Sequence, residues 1–327
     1  MAPPFFSLIT GGAGFLGSHL ADRLIGVGHE VVILDNLSSG SVTNIGPAIS
    51  SGKASFIFGD CAQGADALRE HLRAANVPRL DRIFHLASPA SPEAYGNHPW
   101  ETLLVNSVGT MSLIELALEH RARFVYASTS EIYGDPLVHP QPESYFGNVD
   151  PIGPRSCYDE GKRFGEAAVS AAVAARGLDA RIVRFFNCYG PRMQRGDGRL
   201  VPALIDAALA GRPLPIQGTG RQTRSMTFVG DALELLLLVT QSMQEMLQPV
   251  NIGNDDERSV EEIARAFSKV AGVPFEPEYV AARPADPQRR RPDMTLARSL
   301  GWSPATDLET GLAQTFAWFS DKRLAFA

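Results

Sequence analysis

The sequence predicts an α/β protein in which a parallel sheet carries helices on both faces and a smaller C-terminal α/β domain follows. Short apolar and β-branched runs alternate with longer amphipathic stretches through the first 186 residues. Such alternation is typical of parallel sheets whose connections are helices. After residue 186, basic Gly-containing loops interrupt shorter helical stretches. We therefore expect one domain over residues 1–186 and a second mainly over 187–327, with residues from about 226 to 250 returning to the first.

The individual elements follow from local patterns. Apolar runs predict strands, and amphipathic spacing with capping residues predicts helices. Asp231 is expected to cap a Leu-rich helix, and Ser259 with Glu262 has the spacing of a capping box. The predicted strands are 5–9, 31–34, 56–58, 82–86, 124–127 and 181–185. The predicted helices are 15–27, 65–75, 100–120, 158–176, one ending near 210, those after 231 and 259, and one from about 307.

Composition excludes several classes of protein. The chain is 44% hydrophobic and 20% charged, which is typical of a soluble globular protein. Its net charge is −6 and its 30 basic residues are spread along the chain, so we expect no nucleic-acid partner and no polybasic membrane patch. The longest apolar run, near residues 235–239, is too short to span a bilayer. We expect no membrane partner.

The cysteines and histidines predict neither disulfides nor a metal site. Cys61, Cys157 and Cys188 are odd in number and lack CxxC or metal-ligand spacing. This pattern is typical of a reducing compartment, so we expect a cytoplasmic protein. The seven His are scattered along the chain, and we expect no metal.

A glycine-rich turn follows the first predicted strand. Gly11, Gly14 and Gly17 have the spacing that forms a tight turn, admits a pyrophosphate to the backbone and packs a helix on a strand. The helix N-terminus then offers free N–H groups to the phosphates. The next strand ends in Asp35, which can accept hydrogen bonds from an adenosine ribose, and residues 36–40 contain no Arg. The pattern predicts a Rossmann domain that prefers NAD to NADP; the alternative is a glycine-rich turn that binds nothing.

Tyr158 and Lys162 lie four residues apart at the start of a predicted helix and therefore share one face. A neighbouring cation lowers the pKa of a phenol, so Tyr158 is expected to remove a proton from a hydroxyl near neutral pH. The preceding strand ends in Thr129, Ser130 and Glu131. The alternative is an ordinary exposed pair on a helix. Between these two segments, residues 135–157 form a Pro-rich stretch that we expect to be an ordered rim over the site.

These motifs together resemble the extended short-chain dehydrogenase/reductase superfamily, which includes the NAD-dependent epimerase/dehydratase family. Residues 127–141, 147–163, 197–199, 222–225 and 290–293 further resemble the UDP-glucuronate decarboxylases, also called UDP-xylose synthases. The resemblance therefore covers nearly the whole chain.

The resemblance implies oxidative decarboxylation of UDP-glucuronate to UDP-xylose through a 4-keto intermediate. Tyr158 takes the 4-hydroxyl proton while the C4 hydride passes to NAD and later returns. Lys162 stabilises the phenolate and contacts the nicotinamide ribose, and Thr129 holds the 4-oxygen. Glu131 lies near C5 and the carboxylate, with Arg290 as its anion partner or proton relay.

The same resemblance implies the remaining residues of the site. The expected catalytic residues are Thr129, Ser130, Glu131, Tyr158, Lys162 and Arg290. The expected cofactor-binding residues are Gly11, Gly14, Phe15, Leu16, Gly17, Asp35, Asn36, Asp60, Leu86, Ala87, Tyr158 and Lys162. The expected substrate-binding residues are Pro89, Tyr95, Asn187, Arg199, Arg224 and Arg290. Pro89 and Tyr95 are expected to border the sugar. The other four are expected to bind UDP, because guanidinium groups bind a diphosphate bidentately, and the alternative for Arg199 is a solvated surface side chain.

Other functions of the same fold remain open. A 4,6-dehydratase carries an Asp where this chain has Ser130, and a 4-epimerase has an apolar residue in place of Glu131. Further alternatives on the same substrate are release of the 4-keto pentose as product and epimerisation of UDP-glucuronate at C4. For Glu131, the alternative role is a buried carboxylate that caps the next turn. A different class, a non-catalytic NAD sensor or scaffold, would be expected to lose one of Thr129, Tyr158 and Lys162. The helices 100–120 and 158–176 are expected to form a homodimer interface or to pack inside one subunit.

Overall fold

The computed structural model describes residues 5–242, 248–282 and 287–321. The strands are β1 (Phe6–Thr10), β2 (Glu30–Asp35), β3 (Ala54–Phe58), β4 (Arg82–His85), β5 (Arg123–Thr129), β6 (Ala180–Phe185), β7 (Cys188–Tyr189), β8 (Leu214–Gln217), β9 (Thr223–Ser225), β10 (Thr227–Phe228), β11 (Val250–Ile252), β12 (Glu257–Ser259), β13 (Pro277–Val280) and β14 (Arg289–Arg290). The helices are α1 (Phe15–Gly26), α2 (Val42–Ser50), α3 (Ala65–Ala74), α4 (Pro92–Asn97), α5 (Pro99–Leu104), α6 (Thr110–His120), α7 (Ser156–Arg176), α8 (Leu200–Leu209), α9 (Val229–Gln241), α10 (Val260–Ala271), α11 (Thr295–Ser299) and α12 (Leu308–Ser320).

Seven strands form one sheet in the order β11-β6-β5-β4-β1-β2-β3. Every neighbouring pair in it is parallel. Six of these strands lie where the apolar runs predict them, and β11 joins the sheet from much later in the chain. The predicted doubly wound parallel sheet is confirmed.

Helices cover both faces of this sheet because neighbouring strand residues point to opposite sides. Ile9 and Ile33 pack on the face that carries α1, α2 and α9, while Leu8 and Val32 pack on the face that carries α3, α6 and α7. Both sets of side chains are buried. The two-residue period of a strand therefore divides one apolar run between two cores.

A separate apolar cluster gathers the later elements. It joins Leu204 of α8, Ile216 of β8, Phe267 of α10 and Leu312 of α12. By contrast, α9 packs in the core of the large sheet. The remaining strands form three small sheets, β7 with β10, β8 with β13, and β9 between β12 and β14. These small sheets supply part of the lining of the site, including Cys188, Gln217, Arg224 and Arg290.

Two capping predictions have different outcomes. Ser259 and Glu262 form the capping box of α10 that the spacing predicts. The prediction for Asp231 is wrong, because α9 begins earlier, with Phe228 as its N-cap. Asp231 is buried in the first turn, and its carboxylate accepts hydrogen bonds from the backbone N–H and the hydroxyl of Thr306. A tertiary contact uses this side chain in place of a local one.

One helix of the described part of the chain is long and apolar enough to cross a membrane by length and composition alone. It runs through residues 99–120 and consists of α5, a π-helical turn (Val105–Gly109) and α6. Polar residues interrupt its apolar stretches, so the sequence has no long continuous apolar run here. In the most apolar 18-residue part of this helix, 56% is buried inside the fold. The core helix of a globular protein can have the same length and composition.

Candidate active site

The site lies at the carboxyl ends of β1 and β4, where the strand order of the sheet reverses. Here the turn after β1 passes very close to the chain after β4. A Cβ atom on Gly11 would lie 2.8 Å from the backbone nitrogen of Ala87, and Gly11 has a φ of +69°. Both the space and the left-handed backbone conformation therefore require glycine at this position.

Gly17, the last glycine of the motif, is more crowded still. A Cβ on Gly17 would lie 2.2 Å from the carbonyl oxygen of Gly11, which is shorter than any van der Waals contact. The turn leads directly into α1, whose first residue is Phe15. The backbone is thus free of side chains where a pyrophosphate approaches the helix N-terminus. This cradle fits a dinucleotide.

The adenosine end of this cradle is formed by carboxylates and amides at the ends of β2 and β3. Asp35 is buried and accepts hydrogen bonds from the backbone N–H groups of Ala13 and Leu37, at 2.9 and 2.8 Å. Burial raises the pKa of Asp35, and these two hydrogen bonds oppose the rise. Asn36 donates a 3.1 Å hydrogen bond to Asp60. Each carboxylate oxygen of Asp35 keeps a second lone pair with which it can accept a ribose hydroxyl.

Ten of the predicted cofactor residues line one cavity. They are Gly11, Gly14, Phe15, Leu16, Gly17, Asp35, Asn36, Asp60, Leu86 and Ala87. The other two, Tyr158 and Lys162, line an adjoining cavity. Phe15, Leu16 and Leu86 belong to both linings, so the two cavities meet beside the glycine-rich turn.

In this adjoining cavity, the first turns of α7 present Tyr158 and Lys162, and the end of β5 presents Thr129. All three side chains are buried. The Lys162 ammonium donates a 2.8 Å hydrogen bond to the carbonyl of Ala127 and lies 6.0 Å from the centroid of the Tyr158 ring. The predicted phenol, ammonium and hydroxyl are therefore brought together.

The structure does not reproduce the expected lowering of the Tyr158 pKa. Burial raises the pKa of the Tyr158 phenol, and a hydrogen bond with Thr129 offsets only part of the rise. Burial also lowers the pKa of Lys162 to about 7. The Lys162 ammonium is directed at the Ala127 carbonyl and not at the Tyr158 hydroxyl. The effect of desolvation on both pKa values therefore outweighs the attraction between Lys162 and Tyr158.

Glu131 lies between two guanidinium groups in the same cavity. Arg290 donates to both of its oxygens, with 2.7 Å between Nη2 and Oε2, and Arg155 donates to Oε2. Burial would raise the pKa of Glu131, but the charges of Arg290 and Arg155 outweigh it and lower the pKa to about 2. The alternative role as a turn cap is not seen. The 3₁₀ turn after β5 is capped by Thr129, whose Oγ1 accepts from the N–H of Glu131.

The Pro-rich segment holds Arg290 in place. Gln141 is buried within this segment and pairs its backbone with both Arg291 and Asp293, each at 2.9 Å. Arg290 also lies opposite Arg224 in the parallel pair of β14 and β9. These contacts order the segment beside Arg290, and Arg155 is the residue of 135–157 that lines the cavity.

Arg155 was not identified as a site residue from the sequence. Its position three residues before Tyr158, at the N-terminus of the same helix, is a signal that could have found it. Asp159 was also missed. It is buried directly after Tyr158, and its Oδ2 lies 3.8 Å from the Nε of Arg155.

The predicted substrate residues fall into two groups. Asn187, Arg199, Arg224 and Arg290 line the cavity with Tyr158, as does Ser130. The Oδ1 of Asn187 is buried and has no hydrogen-bond partner among the described residues. Arg199 is paired at 2.5 Å with the carboxylate of Asp197.

Pro89 and Tyr95 differ from the prediction that they border the sugar. Pro89 lines the cofactor cavity. Tyr95 lines neither cavity, since its ring stacks on Tyr158 with 5.1 Å between centroids. This stacking buries the Tyr95 ring against the ring of Tyr158.

The chain belongs to the NAD dependent epimerase/dehydratase family, whose model matches residues 7–253. This match confirms the family resemblance. NAD is the cofactor, as predicted, because the family is NAD-dependent and solved neighbours contain NAD.

Two curated relatives have the same activity in their names. UDP-glucuronic acid decarboxylase 1 of Xenopus tropicalis is 42% identical over 313 residues, which is 95% of this chain and 71% of the relative. UDP-glucuronic acid decarboxylase 5 of Arabidopsis thaliana is 42% identical over 307 residues, covering 93% of this chain and 86% of the relative.

Solved structures with the same fold include enzymes with other reactions. UDP-glucose 4-epimerase from Thermotoga maritima, solved with UDP-glucose, is 29% identical and has a TM-score of 0.87, covering 96% of this chain and 98% of its own. A dTDP-glucose 4,6-dehydratase from Streptomyces venezuelae, solved with NAD, is 28% identical with a TM-score of 0.86 and covers 98% of both chains.

Proposed function

We propose that this protein is a UDP-glucuronate decarboxylase that forms UDP-xylose through a 4-keto intermediate. One observation carries this function: the carboxylate–guanidinium group of Glu131, Arg155 and Arg290 lies in the same cavity as the hydroxyl, phenol and ammonium of Thr129, Tyr158 and Lys162. A neutral hexose has no need for two guanidiniums beside its C5, whereas a uronic acid has a carboxylate there. The names of the curated relatives support the same substrate.

The first step is oxidation at C4 of the sugar. Bound NAD+ supplies the hydride acceptor for this carbon and, once reduced, the hydride donor. The Tyr158 phenolate, which the charge of Lys162 stabilises, takes the proton of the 4-hydroxyl and becomes the neutral phenol. Thr129 holds the 4-oxygen by a hydrogen bond as the carbonyl forms. The glycine cradle and Asp35 would hold the cofactor on the other side of the sugar.

Oxidation turns the sugar into a β-keto acid, and this permits loss of CO2. The bond between C5 and the carboxyl carbon breaks, and its electron pair moves into an enolate whose oxygen is the former 4-hydroxyl oxygen. Thr129 and the protonated Tyr158 stabilise that oxygen by hydrogen bonds. C5 then takes a proton from solvent, the ketone is reduced again at C4, and Tyr158 returns its proton to the 4-oxygen, which restores the phenolate.

Glu131 and its two arginines manage the carboxylate. Together they have one net positive charge, so they attract the anionic substrate. Because Glu131 competes with the substrate for the same guanidiniums, the substrate carboxylate is held less tightly than it would be by Arg155 and Arg290 alone. A loosely held carboxylate leaves more readily as neutral CO2.

Within the fold, Ser130 and Glu131 separate this function from its neighbours. Dehydration needs an acid for the departing 6-hydroxyl, and Ser130 does not supply one. A 4-epimerase of neutral sugars leaves the paired arginines without a carboxylate partner. Epimerisation of UDP-glucuronate itself at C4 would keep that partner, and it would leave the mass of the sugar unchanged. Release of the 4-keto pentose is a second outcome of the same site and would leave the reduced cofactor behind.

The test is incubation of the purified protein with UDP-glucuronate and a trace of NAD+, followed by mass spectrometry and nicotinamide absorbance. The expected product has lost the mass of one CO2, and each NAD supports many turnovers with no net reduction. Loss of CO2 and two hydrogens with matching NADH would mean that the 4-keto sugar escapes. An unchanged mass would refute decarboxylation.

We also propose a homodimer built from α7 and the helix of residues 99–120. Exposed apolar side chains on these helices support it, namely Trp100, Val108, Met111 and Phe164. Sedimentation should give a dimer, and Phe164→Glu should give a monomer. The matched control is Phe146→Glu, at a more exposed apolar side chain of the Pro-rich segment, which should leave the dimer intact.

We also propose a cytoplasmic location. The three cysteines are unpaired, which supports it.

A further inference from the structure

We propose that Asp159 is a positioning residue that sets the affinity of the site for a carboxylate-bearing sugar by holding or releasing Arg155. This inference rests on the proposed decarboxylase function, since it concerns the carboxylate that is lost. The proposed mechanism uses Tyr158 next to it but gives Asp159 no task.

The geometry makes Arg155 a bridge between two carboxylates. Its Nη2 donates to Glu131, while its Nε lies 3.8 Å from the Oδ2 of Asp159. Arg155 and Glu131 line the sugar cavity. Asp159 is absent from that lining and is 5% exposed, so it acts on the cavity only through its neighbours. Its Oδ1 is buried with no hydrogen-bond partner among the described residues.

An unpartnered buried carboxylate oxygen is costly when it is charged and is tolerated more easily when a proton neutralises it. Asp159 therefore has two usable states. With the proton, the group of Arg155, Arg290, Glu131 and Asp159 has one net positive charge. Without the proton, its net charge is zero. A sugar carboxylate is attracted to the first state and gains little from the second.

The surroundings of Asp159 favour the protonated state near neutral pH. Burial and the charge of Glu131 raise its pKa to about 7, while the charges of Arg155 and Arg290 oppose the rise. Glu160 of the same helix adds a smaller repulsion. Two phenols, Tyr158 and Tyr95, also face this group.

The sign of the pH dependence follows from these charges. The substrate carboxylate is a third carboxylate in this group, so its arrival favours protonated Asp159. Substrate binding therefore takes up a proton, and the affinity for substrate falls as pH rises through the pKa of Asp159. Asn cannot ionise and imitates the protonated side chain. Asp159→Asn should therefore keep the high affinity at every pH.

The experiment compares two ligands on the NAD-loaded enzyme from about pH 6 to about pH 9. One is UDP-glucuronate, measured as the KM for UDP-xylose formation. The other ligand is UDP-xylose, measured by its inhibition constant. UDP-xylose lacks the carboxylate but binds beside the same Lys162. In wild type, the KM should rise about tenfold across this range while the inhibition constant changes less than about twofold. In Asp159→Asn, both should change less than about twofold.

Three results would overturn the proposal: a KM of wild type that does not vary with pH, a parallel change in both constants, or an unaltered KM profile in Asp159→Asn. The comparison of ligands on wild type decides the question even where the variant folds poorly. The proposed function fails in a different way, since wild type would then form no UDP-xylose. Formation of UDP-xylose with a flat KM profile overturns the role of Asp159 alone.

Discussion

Replacement of Glu131 by Gln should weaken both the fold and the loss of CO2. The substitution keeps the shape of the side chain and removes the charge that balances Arg155 and Arg290. An amide NH2 group replaces one of the two carboxylate oxygens. This group and the guanidinium that it faces are both hydrogen-bond donors, so they cannot bond to each other. About half of the charge-assisted contacts are lost, each contributing about 1.5–3 kcal/mol.

The estimated loss of unfolding free energy is about 3 kcal/mol, which agrees with the cost of removing one partner from a buried ion pair. For a protein of this size that corresponds to a fall in Tm of about 4 °C. The matched control is Asp256→Asn, the same chemical change in the exposed 2.9 Å pair with Arg258, which should lower Tm by about 1 °C or less.

The kinetic effect should appear in kcat. Without Glu131 as a competitor, the two guanidiniums hold the substrate carboxylate more tightly in the ground state. If they regain about 3 kcal/mol of that interaction, kcat falls about 100-fold while KM stays constant or falls. Steady-state assays of UDP-xylose formation measure both constants. A raised KM with kcat unchanged would refute this reasoning, because Glu131 would then contribute only to binding.

Three further changes test other parts of the site. Gly17→Ala places a Cβ 2.2 Å from the Gly11 carbonyl, so the purified protein should contain at least about tenfold less NAD by extraction, whereas an unchanged content would contradict the crowded cradle. Tyr158→Phe should lower kcat at least about 1000-fold with KM within a few-fold, and near-normal turnover would exclude this phenol as the base. Asp159 has a pKa of about 7 in the folded protein, which is above its value in the unfolded chain. As pH rises between about 4 and 7, the unfolded chain loses this proton more readily, so the free energy of unfolding falls. Asp159→Asn should therefore have a higher Tm than wild type at about pH 8 and an equal Tm at about pH 4, and thermal scans that show the opposite order would contradict the buried, raised carboxyl.

Local patterns predicted most of the fold and the cofactor half of the site. The strands were found because largely apolar runs of three to five residues fill both cores of a parallel sheet. Gly11 and Gly17 were found because the backbone of one short turn limits what can occupy those positions. Tyr158 and Lys162 were found because they are four residues apart on one helix.

Long-range contacts were beyond such reasoning. Glu131 and Arg290 pair across 159 positions of the chain, and no local pattern indicates which of many arginines reaches a given carboxylate. The resemblance suggested this pair, but not the role of Arg155 or Asp159. The erroneous cap at Asp231 has the same cause, because Thr306 lies 75 residues away. The raised pKa of Tyr158 likewise reflects burial by the whole fold.

The central claim is that hydrogen leaves C4 and returns to C4 around the loss of CO2. UDP-glucuronate with deuterium at C4 tests it, with the enzyme working in ordinary water and the product analysed by NMR. We predict UDP-xylose that keeps the deuterium at C4 and has gained a solvent hydrogen at C5. Loss of CO2 with the deuterium washed out of C4, or recovery of a sugar that keeps both its carboxylate and its deuterium, would contradict the account.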